Sequence, residues 1–286
     1  MADNFFVTAI LVSHDGATWL PEAIAAISAQ SRQIDRIVAV DTGSLDNSVK
    51  MLTSAGLTVI KTDRDAGFGD AIALALGSAK RVNRDDSEEL IWILHDDCAP
   101  TRSALESLIA GLEDKPQVAF VGPKLRGWYD RKHLLEVGIS IAPNGARWTG
   151  LDPREHDQGQ FDEPTEVLAV STAAMLARRK IFEDLGGLDP NLALFRDDVD
   201  LGWRARVAGF SVMTAPEALV YHAEAAASER RSVDVEEAFL HRPRLLDRKN
   251  AAFVLLANAS WWLLPWVALQ IIGSSLIRAI GYLAAK

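Results

Sequence analysis

With one cysteine, Cys98, the chain excludes an internal disulfide and a cysteine-built metal cluster, a usage that suits a reducing compartment. Cys98 reads as a small buried side chain, since no histidine–cysteine arrangement marks it as a nucleophile. Positive charge is also scarce. Against 39 acidic residues stand 30 lysines and arginines, and the net charge of −9 argues against nucleic acid or any other polyanion as a partner. No Gly-x4-Gly-Lys-Ser/Thr run is present, so a P-loop phosphate cradle is not expected. Gly67-Phe68-Gly69 is followed by Ile72 where a dinucleotide fingerprint requires a third glycine. The first apolar run is preceded by Asp3 and no basic cluster, so it is expected to be a first strand and not a signal peptide.

What is present is a series of short apolar runs that empty into polar residues. About half of the chain, 49%, is apolar, enough for a sizeable core. Leu90-Ile91-Trp92-Ile93-Leu94 leads directly into His95-Asp96-Asp97. A run this short reads as a buried strand of a parallel sheet, and ligands of such sheets bind at the carboxyl ends of strands. Two adjacent carboxylates there repel each other unless a cation separates them from a ligand, which a divalent metal with a phosphate does well. The plainer reading is an Asp-Asp turn capping the next helix.

The same pattern recurs along the first half. Phe5 to Val12 ends in Ser13-His14-Asp15-Gly16 and leads to a helix with Leu20, Ile24 and Ile27 on one face. Ile37 to Val40 ends in Asp41-Thr42-Gly43-Ser44, with Asp46 as the cap of a helix through Val49, Met51 and Leu52. Leu57 to Ile60 is a further strand, and Gly67-Phe68-Gly69 precedes an alanine-rich helix. Repeated strand–helix units imply an α/β fold: a mostly parallel sheet with right-handed crossovers and helices on both faces.

Two later stretches carry chemistry. Leu194 to Arg204 holds Asp197, Asp198 and Asp200 with Arg196 and Arg204. At helical spacing Asp197 and Asp198 sit in an amino-terminal first turn, where carboxylates favour the macrodipole, with Leu201 and Val207 facing inward. Capping alone accounts for acids at a helix start, but three carboxylates and two arginines exceed it, and a carboxylate beside a metal–phosphate site suits a general base. Ala218-Leu219-Val220-Tyr221 is strand-like and delivers His222, a candidate metal ligand.

The carboxyl end differs from the rest. From Ala251 to Ile277 there is no charged residue, long enough to cross a hydrocarbon core that needs roughly 20 residues. Arg242, Arg244, Arg248 and Lys249 precede it, which under the positive-inside rule places the globular part on the cytoplasmic face of the membrane. Pro265 is expected to kink a single span, and Asn258, Ser260 and Gln270 lower its apolarity, so a re-entrant or interfacial helix pair and a buried helix are the alternatives.

Taken in order, these motifs resemble the family 2 glycosyltransferases, inverting enzymes with the GT-A fold, over about Val7 to Ser228. Val12-Ser13-His14 with Leu20-Pro21-Glu22-Ala23-Ile24 is similar to the family's opening strand and helix. Val40-Asp41-Thr42-Gly43-Ser44 resembles its Val-Asp-Asn-Gly-Ser element, which implies a nucleotide-base contact for Asp41. His95-Asp96-Asp97 stands in place of the Asp-x-Asp motif, so Asp97 inherits the metal, and the histidine in first position leaves the ribose and metal-facing duties open between His95 and Asp96. Ser13 and Gly67 join Asp41, His95 and Asp96 as donor-binding candidates. Ser171 to Leu176 with Arg178-Arg179, then Phe182 and Gly186-Gly187-Leu188-Asp189, resembles the acceptor-side segment. Asp197-Asp198-Val199-Asp200-Leu201 resembles Glu-Asp-x-Asp-Leu, whose second acid is the family's general base, implying Asp198. Tyr221-His222 is similar to the Val-x-His strand, implying that His222 completes the metal shell.

The resemblance implies a GT-A domain over residues 1–240, followed by a basic flank and a transmembrane or interfacial segment over 241–286. It further implies a divalent cofactor, manganese or magnesium, a UDP- or dTDP-sugar donor, and a glycan or lipid-linked acceptor at the membrane. The nearest members are bacterial rhamnosyl- and galactofuranosyltransferase-like enzymes. A noncatalytic, membrane-tethered sugar-nucleotide binder and a nucleotidylyltransferase are the other readings. Gln158, Gln160, Arg230 and Arg231 have no assigned role.

Overall fold

Strands that are apolar on both faces belong between two layers of helix, and the computed structural model builds that arrangement. It describes residues 5–82, 88–228, 230 and 243–284. Asp3, Arg231 and Arg242 lie outside the described residues. The first half runs β1 (Phe5–Ser13), α1 (Leu20–Ser28), β2 (Arg36–Asp41), α2 (Ser48–Ser54), β3 (Val59–Lys61), α3 (Phe68–Ser78), β4 (Glu88–His95), β5 (Cys98–Pro100) and α4 (Ala104–Leu112). It continues through β6 (Val118–Gly127), β7 (Leu134–Glu136), β8 (Ser140–Ile141), β9 (Arg147–Trp148), β10 (Glu166–Val167), β11 (Leu176–Arg178) and α5 (Arg179–Asp184). The remaining elements are α6 (Asp197–Val207), β12 (Ser211–His222), α7 (Pro243–Asn258) and α8 (Leu264–Ala284).

The main sheet has the order β10-β12-β6-β11-β4-β1-β2-β3. β1 pairs in parallel with β2 and β4, β2 with β3, and β6 with β12, whereas β11 lies antiparallel between β4 and β6. Alternation along each strand divides its side chains between the two faces. Val7, Ala9 and Leu11 of β1 and Leu90, Trp92 and Leu94 of β4 meet Leu20, Leu52, Leu105 and Leu108 from α1, α2 and α4. Ile10 and Val12 with Ile91 and Ile93 meet Ile72, Phe182, Leu201 and Ala205 from α3, α5 and α6.

Three local expectations change. Val207, expected inward on α6, is exposed, because the helix turns Leu201 and Ala205 to the sheet and Val207 lies about 120° around the helix from Leu201. Asp46 precedes the residue that opens α2, Asn47, and its Oδ1 accepts from the Ser48 amide at 2.8 Å while Oδ2 accepts from the Ala17 amide at 2.9 Å, so it ties two loops together. Pro265 does not kink a span. It falls in the first turn of α8, where its missing N–H has no intrahelical partner to lose.

The uncharged run therefore divides. Its first part belongs to α7, whose Leu246, Asn250, Ala251, Val254 and Leu255 are buried. Val254 joins Leu192 and Val199 in a small cluster, and Leu246 packs on Ala193, Leu194 and Phe195. The second part is different. Trp261–Gly281 is long and apolar enough to cross a membrane, and only 6% of it is buried.

Candidate active site

The carboxyl ends of β1, β2 and β4 and the end of β12 open onto one cavity of about 630 Å³. His14, Thr42, Arg64, Phe68, His95, Asp96, Asp97, His222, Asp197 and Asp198 are among its lining. On the β1–β2 side, the loops after the two strands are cross-bonded. The Asp15 amide donates to Ser44 Oγ at 2.9 Å, the Gly16 amide to Ser48 Oγ at 2.9 Å, and Arg64 bridges Asp15 Oδ2 at 2.6 Å and the Gly43 carbonyl at 2.9 Å. Beneath them, Ser13 and Asp41 are register partners. Ser13 Oγ and Asp41 Oδ2 are buried without a hydrogen-bond partner among the described residues, while Asp41 Oδ1 accepts from the Ser44 amide at 3.0 Å. A buried carboxylate oxygen left unsatisfied costs free energy unless a ligand supplies the donor.

The acids after β4 point in different directions. Asp96 is fully buried, and its Oδ2 accepts from the His14 amide at 2.9 Å. This closeness explains Gly16, where a Cβ would lie 2.0 Å from Asp96 Oδ2. Asp97 keeps Oδ2 on the Ala225 amide at 2.8 Å and turns Oδ1 toward His222 Nε2 at 3.3 Å, with His95 Nδ1 at 4.0 Å. One donor atom from each of His95, Asp97 and His222 lies within 4.8 Å of the others. Two imidazoles and one carboxylate, with a fixed second oxygen, fit a divalent cation of the transition series. Phe68 packs edge-on against His95 at 4.7 Å, which holds that ring in place.

Burial opposes a charge on His222, and the Cys98 sulfur and the Asp97 carboxylate outweigh it, so its pKa stands well above the ordinary histidine value. Since burial also pushes the Cys98 thiol up, Cys98 is uncharged near neutrality and the Asp97 carboxylate is the effective partner. Cys98 is buried, as its sequence context suggested.

The other end of the cavity is a buried charge network. Asp198 Oδ1 accepts from the Val199 amide at 2.7 Å and Oδ2 from Arg147 Nη1 at 2.9 Å. Arg147 also bonds Glu136. Asp197 Oδ2 accepts from Thr172 Oγ1 at 3.1 Å. Burial, with the adjacent Asp198 carboxylate, pushes Asp197 up to about 7. Glu136 is likewise raised, first by burial, although Arg147 counters it, and Arg147 itself stays charged because the acids outweigh its own desolvation.

The residues ahead of these acids adopt an uncommon conformation. Phe195 and Arg196 have φ of 65° and 70°, a left-handed pair without glycine. It is held from α7: Asn250 Nδ2 donates to the Leu194 carbonyl at 2.7 Å and the Phe195 carbonyl at 3.2 Å, and Arg196 forms a two-pronged pair with Asp247 at 2.6 and 2.9 Å. The arginines that made this stretch conspicuous are thus structural. Arg204 pairs with Asp200 at 2.7 Å and caps the Leu185 and Gly187 carbonyls.

The structure brings together His95, Asp96, Asp97, His222 and Asp198 around the cavity. Ser13 and Asp41, buried at the ends of β1 and β2, and Gly67 are not among the lining residues. The amide side of Gly67 abuts the segment before α6, and a Cβ there would lie 2.9 Å from Ala193 Cα. Gln158 and Gln160 bond within their own exposed loop, and Arg230 stacks on Tyr129 at 4.1 Å, away from the cavity lining. Sequence reasoning missed Glu136, Arg147, Asp247 and Asn250. Glu136 and Arg147 are single charged residues in short apolar or turn stretches, Asp247 and Asn250 sit in the basic flank, and only the fold reveals their partners.

A family model described as "Glycosyltransferase like family 2" matches residues 6–236. The chain belongs to glycosyltransferase family 2. An N-acetylglucosaminyl-diphospho-decaprenol L-rhamnosyltransferase of Mycobacterium tuberculosis is 22% identical over 278 residues, covering 90% of this chain and 86% of that protein. The uncharacterized protein y4gI of Sinorhizobium fredii is 29% identical over 160 residues, and the match spans 54% of this chain but only 17% of that protein's length. Two solved structures show the same fold. Mannosyltransferase PcManGT from Pyrobaculum calidifontis, in complex with GDP-Man and Mn2+, has a TM-score of 0.55 at 19% identity over 95% of this chain and 80% of that one. GalNAc-T7 with UDP, GalNAc and Mn2+ has a TM-score of 0.60 at 16% identity, over 78% of this chain and 44% of that one. This family 2 member is accordingly a glycosyltransferase of GT-A fold.

Proposed function

We propose that the protein is an inverting, divalent-metal-dependent glycosyltransferase that moves a sugar from a UDP- or dTDP-linked donor to a hydroxyl of a lipid-linked or cell-envelope glycan. It works at the cytoplasmic face of the membrane. The observation that carries this reading is the presence, in one cavity, of a three-donor metal constellation and a carboxylate at the start of α6. Asp97 and His222 would hold the cation, with His95 as third ligand, a donor set that favours manganese over magnesium, gives His95 the metal-facing role and leaves Asp96 beside the nucleotide. When bound, that cation supplies Lewis acidity to the departing diphosphate.

The protein's own groups do the rest. Asp41, through its unpartnered Oδ2, accepts from the nucleotide base, Ser13 lies beside it, and the turn at Gly67 sets Ala66 and Phe68 against the donor. Asp198 takes the proton from the acceptor hydroxyl as its oxygen attacks the anomeric carbon, and the carbon–oxygen bond to the diphosphate breaks on the opposite face. One displacement inverts the configuration, and no covalent intermediate forms, unlike the retaining glycosidases. Arg147 orients Asp198 through its 2.9 Å ion pair.

The exposed apolar helix and the prenyl-diphosphate substrate in the mycobacterial relative's name support a membrane-linked acceptor. Asp198→Asn tests the reading. Transfer is expected to fall by roughly a hundredfold to ten-thousandfold with donor affinity retained. Near wild-type transfer would contradict it, since Asp198 would then serve only the Val199 amide and Arg147.

A further inference from the structure

The cavity's charges are unevenly neutralised. Arg64, Arg147 and Arg196 each pair with a carboxylate: Asp15, then Glu136 and Asp198, then Asp247. Arg244 and Arg248 also line the cavity, yet both are exposed, and neither makes a hydrogen bond or ion pair among the described residues. One helical turn apart, they share one face of α7. Asp247, the acid beside them, is engaged by both prongs of Arg196 and is not available to neutralise them.

We propose that Arg244 and Arg248 form an anion subsite for the diphosphate of a prenyl-diphosphate-linked acceptor, separate from the metal end of the cavity where the donor diphosphate sits. This rests on the glycosyltransferase reading above and adds to it the acceptor's chemical class and the residues that hold it.

Three features carry the assignment. First, position: Arg196, which bonds Asp247 between the two arginines, immediately precedes Asp197 and Asp198, so the subsite adjoins the base. Second, rigidity: α7 is fixed by buried Leu246, Asn250 and Val254 and by Asn258, which donates to Asp200 at 2.8 Å, so the arginines are held over the cavity on a packed helix. Third, the path to the membrane: α7 carries exposed Leu245 and Leu256 beside exposed Arg244, Arg248 and Lys249, the pattern of a basic helix lying in the interfacial plane. It leads to Trp261, Trp262 and Trp266, which are 76%, 64% and 56% exposed and suit the level of the headgroups. A prenyl tail in the bilayer thereby brings its diphosphate to the arginine face. Guanidinium forks match phosphate oxygens in pairs. Elsewhere the cavity is rich in carboxylates that repel a dianionic acceptor.

The test uses the full chain in neutral detergent micelles. Two probes are compared: N-acetylglucosaminyl diphosphate esterified to a ten-carbon prenol, and the same sugar as an uncharged decyl glycoside. In the doubly substituted Arg244→Ala, Arg248→Ala protein, affinity for the diphosphate probe is expected to fall roughly tenfold or more. Affinity for the glycoside and for a nucleoside diphosphate with manganese is expected to stay unchanged, and Arg244→Lys, Arg248→Lys is expected to recover part of the loss. Unchanged affinity for the diphosphate probe, no binding of it by the unsubstituted protein, or equal losses on both probes would overturn the proposal. So would an effect confined to sedimentation with anionic phospholipid vesicles, which would assign the pair to bulk headgroups. Because binding is read without turnover, a protein that binds the diphosphate through these arginines but transfers no sugar refutes the enzymatic reading and leaves the subsite standing.

Discussion

Replacing Asn250 by alanine should slow transfer without weakening donor binding, although Asn250 belongs to α7, which carries neither the proposed metal ligands nor the base. Its buried amide donates to the Leu194 and Phe195 carbonyls. Each such bond contributes about 1 kcal/mol, so stability should fall by about 2 kcal/mol. The bonds also hold Phe195 and Arg196 in the left-handed region, which costs roughly 1–2 kcal/mol per residue. Released, the segment relaxes, which offsets part of that stability loss; Asp197 and Asp198 shift with it, and returning them to the competent position costs roughly 2 kcal/mol. Since 1.36 kcal/mol corresponds to about a tenfold rate change, kcat is expected to fall by roughly thirtyfold while donor KM stays within about twofold. Asn250→Asp, which replaces the donor with a carboxylate facing two carbonyls, should be worse than alanine. Asn258→Ala is the control, because it removes a bond from the same helix to Asp200 and leaves the loop untouched. Steady-state kinetics alongside denaturant melts decide the matter. Equal stability losses with equal kcat in the two alanine variants would refute the positioning role.

Other consequences follow from the charge network and the exposed helix. Because Asp197 is pushed up to about 7 from 3.8, the folded protein holds a proton that the unfolded chain releases, and this group's contribution to stability is lost as pH rises through that window. Asp197→Asn should therefore flatten the decline in Tm between about pH 4 and pH 8, and an unaltered slope would contradict the assignment. Arg147→Ala leaves Glu136 and Asp198 buried without their cation and should cost about 3 kcal/mol in a urea melt, with Arg147→Lys milder; a loss below about 1 kcal/mol would show the network to be dispensable. Serine at Trp261, Trp262 and Trp266 should reduce co-flotation with liposomes while leaving the melting transition of the catalytic part in place. Undiminished flotation would remove the interfacial role from these side chains.

The parts of the molecule legible in the sequence are those where one short stretch contains its own explanation. Leu90 to Leu94 announces a buried strand because every residue is apolar, and the polar residues after it mark the strand end where His95, Asp96 and Asp97 emerge. His222 was legible for the same reason at the end of β12. Val207 was misplaced because an apolar residue six positions after Leu201 lies about 120° off its face of the helix, and Pro265 because a continuous apolar run hides a helix start. What pairs with Asp198 was not legible. Arg147 lies in a two-residue strand 51 positions away, and local propensity carries almost no information there. The contacts of Asn250 and Asp247 with the 194–196 segment were hidden in a stretch whose composition spoke only of basic flank and membrane.

The proposed reaction is a metal-dependent displacement of a nucleoside diphosphate, and the most direct measurement is its release from UDP- and dTDP-sugars by the protein. Release would be followed first with a chelator and then after manganese is returned. The account predicts background release under chelation, recovery on adding the metal, and no recovery in Asp97→Ala. Release that continues undiminished under chelation, or that Asp97→Ala leaves intact, would contradict it.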